Sequence, residues 1–488
     1  MAVVALLLYA AALAAGVVAV WRRPVVAVYA FVVGLAIHNA VMAVLYGIGV
    51  RGAPLTVIQA WKEVLLAAAL ARIARDAWHA RQLPFRPGPV DALALAFGAL
   101  VVLYALLPQG WLGGEADAKT VLYGLRHDGT CVAAYFLGRS VVLPRLRPVV
   151  LAAAAVVAAV GLIEVYAFPI EWWRDAHVPD YFNKQLGFDF HGPARLPENF
   201  VFNTGDENNL LRRVVSTFLS PLGTAYMLVV ALCLWAVRPR AWWPLAAIAY
   251  VGLLFTFTRA ALLALAGALV VVAYVRRTWW PVAAAAAAIA IGAVWTQVYP
   301  SIASETHWFP ADLAYQREQA RKRGVPPGQT VSLQEPSIHS HLTALRDGIE
   351  TVTEHPQGFG LGNAGETALR RGVRLKAGES TYTELGVDTG LLGALAFIAW
   401  NLALLWGHMR RRAAGTAAAL AAVLALAVQT DVLGTPWVAY VVWILAGSRL
   451  GASAVEVVRD RRALVGQPAQ HVVDVRPNGL VEPDVATR

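Results

Sequence analysis

Long apolar runs recur from one end of this chain to the other, and they restrict its possible folds more than any other feature. Many are about 18–23 residues long, enough to cross a bilayer as an α-helix. Only 15% of the 488 residues are charged, against about 25% in a soluble domain. The chain is predicted to be an all-α polytopic membrane protein with about 12–14 transmembrane helices. The runs lie near 2–20, 25–48, 54–71, 89–107, 119–138, 148–168, 214–237, 242–257, 260–275, 281–298, 386–407, 414–430 and 435–448.

Arginines in the short loops predict the orientation of these helices. Six loops on one side carry nearly all of them, whereas the opposite short loops carry little beyond Arg51, Lys119 and Arg259. Short basic loops stay in the cytoplasm, so the first set is predicted to be cytoplasmic, with the N-terminus outside and the tail inside. The first set comprises Arg22, Arg23, Arg72, Arg75, Arg81, Arg86, Arg139, Arg145, Arg147, Arg238, Arg240, Arg276, Arg277, Arg410, Arg411 and Arg412.

Two long polar segments then fall on the outer face and divide the chain. Residues 1–298 are predicted to form a transmembrane bundle that includes an outer loop at 169–213. Residues 299–385 form a large, partly helical outer loop, 386–449 the C-terminal transmembrane helices, and 450–488 a cytoplasmic tail.

Composition also excludes several classes of function. The net charge of +10 lies largely in the short loops, and no basic stripe with interleaved aromatics indicates nucleic acid. The two cysteines lie in apolar runs, which indicates neither a disulfide framework nor a metal site. There is no phosphate-loop motif, so no cofactor and no metal is predicted.

Arg213 and Arg259 lie at outer membrane boundaries. Either could be an interfacial anchor whose charge snorkels to water. Alternatively, the two could share a site, because guanidinium groups bind phosphate oxygens in a bidentate manner. Arg212, next to Arg213, is expected to face water.

Charged residues also interrupt two predicted spans. Lys62 and Glu63 lie in the third, and Arg126 and Asp128 in the fifth. Ionisable groups inside a membrane are costly and usually paired. They form structural ion pairs between helices, or else Lys62 and Arg126 extend the cationic site.

The large loop carries further polar candidates. His339 and His341 precede a predicted amphipathic helix at about 342–354, and two histidines without a third ligand are a poor metal signal. Gly360 and Gly362 belong to a glycine run that could cradle phosphate or form a tight turn over the bundle. Glu379 lies beside a membrane boundary, where desolvation and nearby arginines could tune its pKa.

Four motifs occur in a fixed order along the chain: Arg213-Val214-Val215-Ser216-Thr217-Phe218 with Pro221; Thr258-Arg259-Ala260; His355-Pro356 before the run Gly358–Asn363; and Glu379-Ser380-Thr381-Tyr382 leading to Gly390-Leu391-Leu392-Gly393. Together they resemble the O-antigen ligase and polymerase superfamily of membrane glycosyltransferases, over roughly residues 115–440. In the last motif, ligases of that family often have a histidine, then Asn, Ser or Gln, nine further residues and GxxG. Ser380, the nine residues 381–389 and the Gly390–Gly393 motif fit this pattern, but Glu379 stands at the histidine position.

The resemblance implies inverting, metal-independent transfer of a glycan from a polyprenyl diphosphate carrier to an acceptor hydroxyl, at the outer face of a bacterial cytoplasmic membrane. Arg213 and Arg259 would hold the diphosphate and stabilise its charge, and Glu379 would be the general base. His339, His341, Gly360, Gly362 and Tyr382 would shape the loop and acceptor side.

Three alternatives remain open at the level of sequence. The acceptor could be a terminal glycolipid, as for a ligase, or a second carrier-linked repeat, as for a polymerase. A lipid-linked glycan transporter should show repeated halves with matching polar residues at mid-membrane, and no clear repeat is present. A non-catalytic scaffold would not need Arg213, Arg259 and Glu379 at one membrane face.

Overall fold

A computed structural model describes residues 2–204, 206–322, 324 and 336–450. Within these residues, every predicted apolar run folds as helix. The first ten helices are α1 (Ala2–Arg22), α2 (Val25–Gly47), α3 (Ala53–Gln59), α4 (Trp61–Ala80), α5 (Pro89–Leu106), α6 (Gln109–Leu112), α7 (Ala118–Ser140), α8 (Leu146–Ala167), α9 (Ile170–Asp175) and α10 (Val178–Asp180).

The second half of the chain continues in the same way. Its helices are α11 (Pro221–Trp235), α12 (Trp243–Phe255), α13 (Arg259–Arg276), α14 (Trp280–Ile302), α15 (Pro310–Lys322), α16 (Pro336–Glu354), α17 (Gly365–Arg371), α18 (Thr381–Arg410), α19 (Ala414–Leu426) and α20 (Pro436–Ser448).

The prediction of an all-α polytopic membrane protein is confirmed. Among the described residues, α1, α2, α5, α8, α13, α14 and α18 are each long and apolar enough to cross a membrane. The remaining apolar runs fold as four shorter apolar helices (α11, α12, α19 and α20) and as two helical stretches that carry charges, α3–α4 and α7. The predicted tail, 450–488, lies outside the described residues except for Leu450.

The most buried helices lie at the centre of the bundle. α20 packs on α7, α13 on α19 and α14, α12 on α8, and α18 on α5. Trp437 and Trp443 of α20 are fully buried, and their indole N–H groups donate to the Val32 carbonyl and the Asn401 side chain. Buried indoles need such partners, so these bonds fix α20 against α2 and α18.

The two long polar segments meet at one end of the bundle, which we call the loop face. A small antiparallel sheet joins them, with β1 (Val201–Asn203) and β3 (Glu305–Thr306) on either side of β2 (Leu210–Arg212). Further along, Arg370 Nε donates to the Leu186 carbonyl at 3.0 Å. The loop face is therefore a joint structure of both segments.

A break in the third predicted span matters for the position of charged groups. The third predicted span is not one helix, because α3 ends at Gln59 and α4 begins at Trp61. Lys62 Nζ donates to the Gln59 carbonyl, 2.8 Å away, which satisfies a carbonyl that the break leaves without a helical partner. Lys62 and Glu63 thus begin a helix at the loop face instead of lying in the middle of a span.

Arg212 corrects an expectation, because it does not face water. Its side chain is buried and ion-paired with Glu164 of α8, and it also donates to the Val165 and Phe168 carbonyls. A buried guanidinium needs this full set of partners. Arg212 therefore fastens β2 to the end of α8.

Candidate functional site

A cavity of about 310 Å³ opens at the loop face, between the bundle and both polar segments. Its lining combines six basic side chains with only two carboxylates, Glu63 and Glu366, and one histidine, His127. Because like charges repel, such a concentration of cations points to an anionic ligand. The basic residues are Lys62, Lys119, Arg126, Lys184, Arg370 and Arg371.

Lys62 and Arg126 enter this cavity from two different helices, α4 and α7. Both interact with Glu63, whose Oε1 lies 3.5 Å from Lys62 Nζ and 3.6 Å from Arg126 Nη1. The Arg126 guanidinium also lies over the Tyr123 ring, 5.3 Å from its centroid. Arg126 and Glu63 thus form an ion pair between helices, and Lys62 and Arg126 line a cationic cavity that does not include Arg213 or Arg259, whose site they were predicted to extend.

Helix α17 supplies the opposite wall from the large loop. Glu366 and Arg370 are one turn apart, which places them on the same face of the helix. The Glu366 side chain faces the cavity, and protein atoms surround it on the other sides. The resulting desolvation, together with the charge of Asp431, raises the pKa of Glu366. Desolvation likewise lowers the pKa of Arg370, which lies over the Phe188 ring.

His127 links the cavity to the α19–α20 loop. Its Nδ1 lies 2.7 Å from Asp128 Oδ1 and its Nε2 lies 2.8 Å from Asp431 Oδ2. Burial opposes ionisation of Asp431, but the His127 imidazole and the backbone N–H groups of Leu433 and Gly434 outweigh it and hold the pKa of Asp431 below its ordinary value.

The same region contains a group of potential metal ligands. His127, Glu384 and Asp431 each place one ligand atom within 4.8 Å of the others. Both nitrogens of His127 already face carboxylates, so a metal there would have to displace a hydrogen bond of the imidazole. We assign no metal to this group.

Arg213 and Arg259 lie together at the turn between α12 and α13, and they do not line the cationic cavity. Arg213 Nε donates to the Thr256 carbonyl at 2.7 Å and Nη2 donates to Thr258 Oγ1 at 3.1 Å. Arg213 thereby caps the end of α12. Burial, with a further contribution from the charge of Arg259, lowers the pKa of Arg213 to about 10. Arg259 is exposed and is the first residue of α13.

Glu379 lies at the start of α18 and pairs with a histidine of the large loop. Its Oε2 lies 2.7 Å from His341 Nδ1, and both side chains are partly exposed. This carboxylate raises the pKa of His341. Glu379 does not line the cationic cavity either, and the side chain of His339 lies outside the described residues.

The α19–α20 loop connects the cationic cavity, the Arg213–Arg259 pair and Glu379. Thr430 Oγ1 is 2.6 Å from Tyr226 Oη, and Tyr226 lies within electrostatic range of both Arg213 and Asp431. On another side, Thr381, two residues after Glu379, donates to the Thr430 carbonyl at 3.0 Å. The cavity, the arginine pair and Glu379 are thus arranged around one short loop that carries Asp431.

The glycine run forms a tight turn and not a phosphate cradle. The backbone N–H groups of Gly362 and Asn363, which a cradle would offer to phosphate, both donate to the Asp388 carboxylate at 3.1 Å. Gly360 and Gly362 have φ of +94° and +83°, and a Cβ on either would collide with Gln109 or Thr120. Helix α18 is kinked at Gly390, which has a non-helical φ of +69°, and the glycine run packs between this kink, α6 and α7.

Tyr382 also has a structural position. Its hydroxyl donates to the Leu424 carbonyl at 2.9 Å, which fixes the start of α18 on the end of α19. Of the predicted site residues whose side chains the structure describes, only Lys62 and Arg126 line the cationic cavity.

The sequence did contain signals for the missed cavity residues. On α7, Lys119, Tyr123, Arg126 and Thr130 recur at the three- to four-residue spacing of one helix face. Asp431 is a lone carboxylate between two apolar runs. Arg370 and Arg371 had no comparable signal, because nothing local shows that α17 folds back onto α7.

A comparison with protein families decides the class of the chain. Residues 244–398 match the family model described as O-antigen ligase. This part of the chain resembles an O-antigen ligase. The resemblance predicted from its motifs is therefore confirmed at the level of the superfamily. No curated protein matches the chain.

The O-antigen ligase match runs from the start of α12 into α18. It includes Arg259, the glycine run, α17 and Glu379. Arg213, Lys62 and Arg126 lie before it. The matched region thus supplies α17 to the cationic cavity, and the rest of the lining comes from the N-terminal half of the chain and from residues 433–440.

Proposed function

We propose that this protein is a membrane glycosyltransferase that moves a glycan from a polyprenyl diphosphate carrier to an acceptor hydroxyl. The observation that supports this proposal best is the cationic cavity at the loop face, within a polytopic membrane protein that resembles an O-antigen ligase over residues 244–398. A diphosphate is the group of such a donor that carries concentrated negative charge.

In the proposed reaction the bond between the sugar C1 and the diphosphate oxygen breaks, and the diphosphate retains the electron pair. The acceptor oxygen forms the new bond to C1 from the opposite side, with inversion, and its proton passes to a general base. Lys62, Arg126 and Arg370 stabilise the charge that develops on the leaving diphosphate. Because the donor carries its own leaving group, neither a nucleotide nor a metal is required.

Arg213 and Arg259 act at the second cationic position of the loop face. Arg213 holds the α12–α13 turn through Thr256 and Thr258, and this turn presents Arg259 at the N-terminus of α13, where the helix dipole adds positive potential. We assign Arg259 to binding of the diphosphate or of the adjoining sugar. Arg213 contributes to the same site by positioning Arg259.

We assign the general base to Glu379, with Glu366 as the competing candidate. Glu379 occupies the position at which ligases of this family have a histidine, and it pairs with His341. Glu366 instead opens directly into the cavity, and desolvation raises its pKa, as suits a base that acts near neutral pH. The loop face would be the outer face of the cytoplasmic membrane, as the arginine distribution predicts.

The deciding experiment incubates purified protein with a polyprenyl-diphosphate glycan and candidate acceptors, in the absence of nucleotides. Release of polyprenyl diphosphate that depends on an acceptor is expected. Glycolipid acceptors and second carrier-linked repeats form separate arms, which distinguish a ligase from a polymerase. If no acceptor causes release, the proposed function is wrong.

Variants connect this activity to the residues. Arg126→Ala, Arg370→Ala and Arg259→Ala should each lower turnover by about 100-fold or more, as loss of a preorganised charge-stabilising group does. Arg321→Ala is the matched control, because Arg321 lies on α15 and does not line the cavity. If Arg126→Ala and Arg370→Ala behave like this control, the cavity is not the diphosphate site.

A further inference from the structure

A large apolar groove adjoins the cationic cavity. It has a volume of about 870 Å³, and its lining is mostly aliphatic. α4 and α5 form its walls and α7 forms its floor, because both helices pack on α7. Leu95, Val102 and Leu106 of α5 are exposed along it, so the groove is open to the bilayer side.

Two neighbouring faces of α7 separate the cavity from the groove. One face presents Lys119, Tyr123 and His127 to the cavity. The adjacent face presents Leu125, Gly129, Val132, Ala133 and Phe136 to the groove. Both sets follow the three- to four-residue spacing of a helix face.

Four residues line both spaces, and they define the junction: Glu63, Arg126, Thr130 and Tyr440. A ligand can therefore extend from one space into the other without leaving the protein surface. Its head would meet the cations, and its tail would meet the aliphatic lining. This combination is the chemistry of an anionic head on a long hydrocarbon chain.

The groove also has a suitable length. From Leu125 to Phe136 it follows α7 for about 17 Å, at 1.5 Å per residue. One leaflet of the hydrocarbon core is about 15 Å thick. A chain lying in the groove would thus run from the loop face toward the middle of the membrane.

We propose that this groove binds the phosphate-proximal isoprene units of the donor carrier while its diphosphate occupies the cationic cavity. This inference rests on the proposed function and adds to it a subsite that selects an isoprenoid tail. The remaining units of a long carrier extend from the groove into the bilayer.

A second apolar groove provides an internal comparison. It has a volume of about 580 Å³, lies between α2 and α8 beneath Trp172 and Trp173, and shares no lining residue with the cationic cavity. Among the residues that the structure describes, its lining contains no lysine or arginine. Ordinary lipid chains can occupy either groove, but only the α4–α5–α7 groove leads directly to a cluster of cations.

Gly129 allows the groove to be filled without disturbing the fold. A Cβ added there has only Leu125 Cδ1 nearby, at 4.0 Å, so Gly129→Leu places its side chain in open groove space. Gly267 on α13 is the matched control. A Cβ on Gly267 meets nothing within 4 Å, and Gly267 is exposed away from the groove.

The test measures binding of farnesyl diphosphate, which has three isoprene units, and of inorganic diphosphate by calorimetry in nanodiscs. The wild type should bind farnesyl diphosphate more tightly than diphosphate. Gly129→Leu should reduce this tail-dependent advantage by about tenfold, or about 1.4 kcal/mol, without changing the Kd for inorganic diphosphate. Gly267→Leu should change neither value.

The outcomes separate this inference from the proposed function. If the wild type binds no diphosphate, the cavity and hence both proposals fail. If it binds diphosphate but the two glycine variants behave alike, the groove assignment alone is wrong. Equal competition by phosphatidic acid and farnesyl diphosphate would also overturn the assignment, because the groove would then not select an isoprenoid.

A labelling experiment on the wild type avoids any dependence on variants. Farnesyl diphosphate that carries a photoreactive diazirine at the end of its tail should label residues 95–103 or 125–136. Labelling confined to α2 and α8 would place the tail in the other groove and contradict the proposal.

Discussion

At the scale of single residues, Glu63 has an unexpected position for a diphosphate site. It is a carboxylate among cations, and its Oε1 lies between Lys62 and Arg126. Its Oε2 is buried without a hydrogen-bond partner among the described residues. We infer that Glu63 positions Lys62 and Arg126 and releases both side chains when a diphosphate binds.

Removing the charge of Glu63 should therefore strengthen anion binding. Glu63→Gln is expected to tighten binding of inorganic diphosphate by roughly three- to tenfold, since one repulsive charge is removed at close range. Calorimetric Kd values would show this. Glu318→Gln is the control, because Glu318 pairs with Lys322 on the exposed face of α15. Weaker binding by Glu63→Gln would mean that the carboxylate is needed to position its partners.

The His341–Glu379 pair should govern the pH dependence of transfer. Glu379 raises the pKa of His341, so the ion pair is complete below the ordinary histidine pKa and is lost as pH rises through the raised value. Below that value the imidazolium occupies the Glu379 carboxylate. If Glu379 is the base, the rate should rise as His341 loses its proton.

In His341→Gln this rise should be lost, because no imidazolium is left to occupy the Glu379 carboxylate. Profiles of kcat/KM against pH for both proteins test this. His307→Gln is the matched control, since His307 also faces a glutamate, Glu171, but on another part of the loop face. An unchanged profile in His341→Gln would favour Glu366 as the base.

At the scale of elements, the glycine run and α18 form one unit. The Asp388 carboxylate accepts hydrogen bonds from the N–H groups of Gly362 and Asn363, and Phe359 N donates to the Val387 carbonyl at 2.7 Å. This unit fixes the start of α17 and hence the position of Glu366 and Arg370. The glycines thus act on the site through the backbone geometry of the turn.

Alanine substitutions can separate backbone strain from close packing in this unit. Gly372 has a φ of +66° and open space around a Cβ, whereas Gly362 has a φ of +83° and would place its Cβ 2.7 Å from Thr120 Cγ2. Gly372→Ala should cost about 1 kcal/mol from the left-handed conformation alone, and Gly362→Ala clearly more. Thermal unfolding would compare them, and equal melting temperatures would show that Thr120 adjusts at no cost.

At the scale of the whole molecule, the cavity joins parts of the chain that are far apart in sequence. α4 and α7 supply Lys62 and Arg126, and α17 supplies Arg370. A ligand that binds the folded state alone stabilises it by about 2.7 kcal/mol at a hundred times its Kd. Diphosphate should therefore raise the melting temperature of the intact protein.

This stabilisation should depend on the cavity and on ionic strength. Arg370→Ala should lose most of the rise, Arg321→Ala should keep it, and added salt should reduce it by screening. Differential scanning fluorimetry with diphosphate provides the measurement. An equal rise in both variants would place the anion site elsewhere.

The sequence by itself determined the fold class, the superfamily and the kinds of side chain that meet at the loop face. These depend on local properties, because hydrophobicity along a run decides whether a helix enters the membrane. A motif, likewise, can be recognised from its own residues alone. It also marked Lys62 and Arg126 as unusual, since charges within apolar runs need a specific reason.

Only the tertiary structure decided which of these residues meet. It brought Lys62 and Arg126 to Arg370 of the large loop, placed Arg213 and Arg259 at a separate turn, and paired Glu379 with His341. It directed the backbone N–H groups of the glycine run to the Asp388 carboxylate and placed an apolar groove beside the basic side chains. Such contacts depend on how helices that are hundreds of residues apart in the sequence pack together. Local hydropathy carries no information about this packing.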